Sequence, residues 1–274
     1  MYFSMDEIGF ENNEKIKSMP SEADRWKFVY DVAKSYGFEG VHFTPSLYKK
    51  DFRLDLENIP SYFQDSKLTL HFGGLHKIIS ESSYESFDTA LARGFEIAKQ
   101  NNMHDISLHP PDIYQISAAE KSLCYELFRR VIDKWLEVAL KNSISLTLET
   151  HVTGKYFLFN GLDEYTDFLS EYPELGVLID ISHNYHDGYT EDEIIYHLAD
   201  KNIKGLHISD ALQGTELAEG THLALGCGTV DFSKLHRYFS HIPNLYSALE
   251  IKASNEHIAN SLKILQERGE KNAR

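Results

Sequence analysis

Cysteine is scarce: Cys124 and Cys227 are the only two in 274 residues. They cannot build a disulfide framework, and so few thiols fit a reducing cytoplasm, which is the expected location. Long apolar runs are missing too. None reaches the ~18 residues that a bilayer span requires, so no membrane partner is expected. The opening stretch MYFSMDEIGFENNEKIK has neither the basic start nor the apolar segment of a secretion signal. Positive charge is in deficit, with 27 Lys and Arg against 42 Asp and Glu and a formal charge of -15. That balance disfavours a broad electrostatic grip on nucleic acid or an anionic membrane. Among short motifs, no Rossmann glycine fingerprint, nucleophile elbow or CxxC pair occurs. The GCG of Gly226–Gly228 lacks the Lys and Ser/Thr of a phosphate-binding loop.

What the chain does have is alternation. Hydrophobic residues make up 42% and charged residues 25%, as in an ordinary globular protein. Short apolar runs (FEGVHFT, SKLTLHF, MHDISLH, ISLTLET, LGVLIDI, IKGLHIS, LYSALEI) alternate with segments of helical periodicity, and MYFSMDEIG adds a weaker first strand. In SEADRWKFVYDVAKSYG, for instance, Trp26, Val29, Val32 and Ala33 fall on one helical face, Ser21 can cap the start and Gly37 can end it. Strands this apolar are expected where helices cover the sheet. Eight of them alternating with helices predict an α/β fold of the (β/α)₈ TIM barrel type, a single domain over residues 1–274. A doubly wound open sheet is the competing fold. The longest connection without a predicted element runs from Ala211 to Thr229 and holds four glycines.

The chemistry sits where the runs end. LTLHF ends near His71, ISLH at His109, LTLET at Glu149, LIDISH at Asp180 and His183, GLHIS at His207, and ALEI at Glu250. Barrel enzymes gather their reacting groups at these strand ends. Carboxylates packed into a strand mouth repel unless a cation joins them. A divalent ion is therefore expected, and the mixed nitrogen and oxygen donors suit Zn or Mn, with one to three ions per chain. Glu149, Asp180, His207 and Glu250 belong to four consecutive strands and are the expected core ligands. His71 and His109 on the two preceding strands are expected to hold a second ion with Glu149 bridging. His183 and His222 are candidates for a third ion or for substrate. Asp210, three residues after His207, is a candidate to orient it, and Lys252 a candidate to meet a substrate phosphate or carboxylate. His76, His104, His151 and His186 read as ordinary loop histidines.

With these residues in view, the chain resembles the xylose isomerase-like TIM barrels, which include endonuclease IV and many sugar epimerases and isomerases. The resemblance spans nearly the whole chain and is carried by LTLET, LIDISH, GLHISD and ALEI. It implies that Glu149, Asp180, His207 and Glu250 hold a metal. The endonuclease branch adds the pair matched by His71 in LHFGG and His109 in SLHPP, and a third ion on the histidine matched by His183 with an Asp-x-His pair. Here Gly220 stands in place of that aspartate, two residues before His222, with Glu219 as its neighbouring carboxylate. Gly74 replaces the aromatic DNA wedge, the G-x-H-V-S type opening is absent, and Gln213 replaces a substrate-binding arginine of the epimerase pattern.

Two enzymatic readings remain. In the first, a metal-dependent sugar or sugar-phosphate isomerase or epimerase uses Glu149 and Glu250 to exchange a proton at carbon, with His183 orienting a hydroxyl. In the second, an endonuclease IV-like hydrolase cleaves a phosphoester with two or three ions. A non-catalytic barrel that binds metal or sugar is the third reading. The expected partner is a small sugar or phosphoester rather than nucleic acid, and the barrel is of a type that often pairs as a homodimer.

Overall fold

The computed structural model describes residues 2–6, 16, 18–44, 54–73, 77–152, 157–251 and 255–272. Eight parallel strands, β1 (Tyr2–Asp6), β2 (Gly40–Phe43), β3 (Lys67–Phe72), β4 (Asp105–Leu108), β5 (Ser145–Glu149), β6 (Gly176–Asp180), β7 (Ile203–Ile208) and β8 (Tyr246–Leu249), follow one another around a closed barrel. The ring closes where β1 pairs with β8, Ser4 opposite Ala248. The (β/α)₈ expectation therefore holds, and the open sheet is excluded.

Helices pack around this ring. They are α1 (Glu22–Ser35), α2 (Glu81–Gln100), α3 (Ala118–Lys141), α4 (Leu162–Glu171), α5 (Ile181–His186), α6 (Glu191–Leu198), α7 (Leu217–Gly220), α8 (Phe232–Phe239) and α9 (Asn255–Asn272). Their starts follow from local chemistry. Ser21 accepts from the Asp24 amide to cap α1. Ser117 with Glu120, and Thr190 with Glu193, form reciprocal capping boxes at α3 and α6. Trp26, Val29, Val32 and Ala33 are buried as the helical spacing requires. Among the described residues, no helix is long and apolar enough to cross a membrane.

Apolar packing lies mainly between strands and helices. Inside the barrel the apolar cluster is small, made of Leu178, Tyr246 and Ala248. Gly205 leaves the space that the Tyr246 ring fills; a β-carbon there would collide with it. The rest of the interior is polar. Ser4, His42, Thr69, His71, Ser107, Thr147, Glu149, Asp180 and His207 are all buried. Buried polar groups need partners, or they cost free energy. At the N-terminal end of the barrel, Asp105 accepts from the Tyr246 hydroxyl (3.0 Å) and from the Thr147 hydroxyl. At the other end lies the candidate site.

Candidate metal centre

Six strand ends converge. His71 lies within β3, His109 directly follows β4, Glu149 and Asp180 end β5 and β6, His207 lies within β7, and Glu250 directly follows β8. Glu149 is at the centre and fully buried. Its Oε2 lies 2.8 Å from His71 Nε2 and 3.1 Å from His109 Nε2. Its Oε1 lies 3.5 Å from both His183 Nδ1 and His207 Nδ1. One carboxylate therefore faces two separate groups of imidazoles, one with each oxygen.

Glu149, Asp180, His207 and Glu250 each offer a ligand atom within 4.8 Å of the others. Glu149 Oε1, Asp180 Oδ2, His207 Nδ1 and Glu250 Oε2 are buried and form no hydrogen bond of acceptable geometry. Polar atoms so placed and so unsatisfied are what a cation site requires, and three carboxylates with one imidazole suit a divalent ion. The local structure of β6 prepares one of them. Asp180 Oδ1 accepts from the His183 amide (2.8 Å) and the Ser182 hydroxyl (2.9 Å), capping α5 and leaving Oδ2 to the cluster. His183 lies in this short helix, because Asp180 starts a turn there.

Protons on two imidazoles offset part of the negative charge in the cluster. Burial opposes the ionised form of Glu149, but the charges of His109, His207 and His71 outweigh it and hold the carboxyl well below its usual range. Burial is likewise outweighed at Asp180, chiefly by His183, and at Glu250, chiefly by His207. The reciprocal effect appears on the imidazoles. Burial pulls His207 down, yet the Glu250 and Glu149 carboxylates lift it well above its ordinary value. His183 is raised to about 9 against its burial, first by Asp180. His42, His71 and His151 go the other way, each lowered chiefly by burial.

The remaining expectations divide. Asp180, His183 and His222 form a further group of possible ligands, with His183 Nε2 3.0 Å from His222 Nε2. His222 holds a left-handed backbone (φ 55°), uncommon outside glycine. An aspartate at Gly220 is sterically excluded. A β-carbon there would lie 2.8 Å from the Leu212 carbonyl oxygen and 2.9 Å from the His186 ring, and closer still to the Thr215 hydroxyl. Glu219 does not replace it, since its side chain is exposed on α7. Asp210 does not serve His207 either. Its Oδ1 accepts from the Ala211 (3.0 Å) and Val230 (3.1 Å) amides and its Oδ2 from Gly226 (2.9 Å), so it braces the glycine-rich connection that carries His222. Lys252, Gly74 and His76 lie outside the described residues.

Two histidines go beyond their sequence reading. His151, taken for a loop residue, packs against His183 with ring centroids 4.1 Å apart and against Phe157 at 3.7 Å. His42 received no role at all, yet its Nε2 is 3.1 Å from His207 Nε2. The β2–β3 register, which sets His42 beside Thr69, is the signal that places it.

Asp210→Ala is expected to remove about 2–3 kcal/mol of stability, since it strips a charged acceptor from three amides. Hydrogen exchange should accelerate at Ala211, Gly226 and Val230 while metal content stays the same. Unchanged protection at those amides would refute the bracing role.

The description "Xylose isomerase-like TIM barrel" belongs to a family model that matches residues 30–268. No curated protein matches the sequence. Similar solved structures include a D-tagatose 3-epimerase-like protein at 17% identity and TM-score 0.79, covering 100% of this chain and 98% of that one. The IolI protein with a bound zinc atom is 12% identical at TM-score 0.74, covering 99% and 98%. D-allulose 3-epimerase from Methylomonas sp., solved in complex with D-allulose, is 12% identical at TM-score 0.71, covering 98% and 97%. At such identities the likeness is one of fold. Together with the family match over most of its length, it establishes that this chain belongs to the xylose isomerase-like TIM barrel family.

Proposed function

We propose that the chain is a divalent-metal-dependent isomerase or epimerase of a small ketose or ketose phosphate. The observation that carries this reading is the cluster of Glu149, Asp180, His207 and Glu250, four buried ligand atoms facing one another at the C-terminal end of the barrel. The fold likeness to ketose 3-epimerases supports the same substrate class. Bound by these residues, a divalent ion, Zn or Mn by its donor set, would supply polarisation of carbonyl and hydroxyl oxygens and stabilisation of negative charge. Asp180 and His207 hold the site. Glu149 and Glu250, on strands three apart in the ring, act as the acid–base pair. One takes the proton from carbon and the other returns a proton to the opposite face, which inverts that centre. His183, its ring braced by His222, orients a substrate hydroxyl.

A second reading has its own observation. The pair His71 and His109 on Glu149 Oε2, and the group Asp180, His183 and His222, provide places for further ions. Two or three ions held there would supply activation of a water and stabilisation of a leaving oxygen, the chemistry of phosphoester hydrolysis.

The deciding experiment starts with protein purified without added ions. Metal analysis is expected to give one ion per chain. Ketoses and ketose phosphates in D₂O should then gain deuterium at the carbon beside the carbonyl. Exchange should stop with EDTA and return with Zn²⁺ or Mn²⁺. Two or three ions, no deuterium uptake across the panel, and cleavage of a simple phosphodiester would overturn the epimerase reading in favour of the hydrolase.

A further inference from the structure

We infer that His42 is a positioning residue for the metal centre: through one hydrogen bond it fixes which nitrogen of His207 faces the carboxylates. The inference rests on the metal centre proposed above and not on the identity of the substrate.

His207 has two distinct sides. Its Nδ1 lies 2.6 Å from Glu250 Oε2, 3.5 Å from Glu149 Oε1 and 3.7 Å from Asp180 Oδ2, so this nitrogen faces the ligand cluster. Its Nε2 points away from them, 3.1 Å from His42 Nε2. His42 in turn places Nδ1 2.5 Å from the Thr69 hydroxyl oxygen. All three residues are buried, so water does not compete freely for these bonds.

Only one arrangement of protons lets His207 act as a ligand here. A nitrogen that binds a cation must offer a lone pair, so the His207 proton sits on Nε2. That N–H donates to His42 Nε2, which must then be bare. The His42 proton therefore sits on Nδ1 and donates to Thr69 Oγ1. Three side chains thus share one self-consistent set of donors and acceptors. A metal-bound histidine usually gives its second N–H to a carboxylate, a carbonyl or water. Here the acceptor is a second imidazole. Its plane is supported by the His71 ring, stacked at 5.0 Å and 26°.

The test compares His42→Phe, which keeps a ring against His71 but cannot accept, with His42→Gln, whose amide carbonyl can. Titration with Co²⁺, read by calorimetry and by visible absorption, is the measurement. His42→Phe is expected to bind Co²⁺ about 10–100-fold more weakly, with absorption bands unmoved because the ligands are unchanged. His42→Gln is expected to recover most of the affinity. Equal affinity for His42→Phe and the unchanged chain would overturn the inference. So would shifted bands, which would make His42 itself a ligand through the His42, His71 and His207 group. If His42→Phe does not fold, ¹⁵N-histidine NMR of the Zn²⁺-loaded unchanged chain decides the matter. A proton on His42 Nδ1 and on His207 Nε2 is expected, and a proton on His42 Nε2 overturns it. Failure of the unchanged chain to bind Co²⁺ would remove the metal centre and this role together. Binding without turnover of any ketose would remove the substrate reading and leave this role intact.

Discussion

Glu149→Gln is expected to lower turnover by roughly 10²–10⁴-fold, the range set by loss of a positioned acid–base group, and to weaken metal binding as well. The amide keeps the shape of the carboxylate but loses both its charge and its basicity. Glu149 faces His71 and His109 from one oxygen and His183 and His207 from the other. The folded state is expected to survive. With no ion bound, the three ionised carboxylates Glu149, Asp180 and Glu250 face His183 and His207, both raised toward the protonated form. Neutralising one carboxylate leaves two facing two, so it adds no uncompensated buried charge. Steady-state rates with metal analysis and a melting curve check each part. Turnover within tenfold of the unchanged chain would remove Glu149 from both enzymatic readings. The companion variant His71→Gln separates those readings. In a one-ion isomerase it reduces the rate but leaves one ion bound, whereas in a hydrolase it removes an ion along with the activity.

The barrel was legible because its strands and helices are locally consistent. Ser21 marks a helix start that the structure uses, and Trp26, Val29, Val32 and Ala33 its buried face. The ligand candidates were legible for a related reason: Glu149 and Asp180 end their strands and Glu250 directly follows one, where an apolar run gives way to a charged side chain. His42 carries no such mark. It sits between Val41 and Phe43 in mid-strand, and only the closed order and register reveal that it faces His207 across the interior. Asp210 misled for the opposite reason. Its distance of three residues from His207 suggested contact, but the chain pairs with Leu223 there and turns the carboxylate toward loop amides. Gly220 shows a third limit. The missing aspartate could be noted from sequence, but the crowding by Leu212, Thr215 and His186 that excludes it depends on the folded loop.

Asp105→Asn is expected to stabilise the protein near neutral pH. Asp105 lies at the N-terminal end of the barrel, away from the ligand cluster, beside a cavity of about 800 Å³ that Lys204 and Tyr246 also line. Its carboxyl is raised to about 6 from 3.8. Burial is the main cause, opposed by the hydrogen bonds from Thr147 and Tyr246 and by the charges of Lys204 and His207. The sign follows from proton counts. Between the unfolded and folded values the native state binds more protons than the unfolded chain, so stability falls as pH rises. The contribution is fully present below the unfolded value of 3.8 and is lost as pH passes through about 6. A shift of this size corresponds to about 3 kcal/mol, and roughly half of that is lost between about pH 5 and pH 7.5. Asparagine keeps an acceptor oxygen for one of the two hydroxyls and donates its amide N–H to the other, without ionising. Its stability relative to the unchanged chain should therefore rise by about 1.4 kcal/mol from pH 5 to pH 7.5. Urea unfolding of both chains at the two pH values measures this difference directly. A difference independent of pH would mean that Asp105 stays ionised throughout, held by Lys204 and its two hydroxyl donors more strongly than burial opposes it.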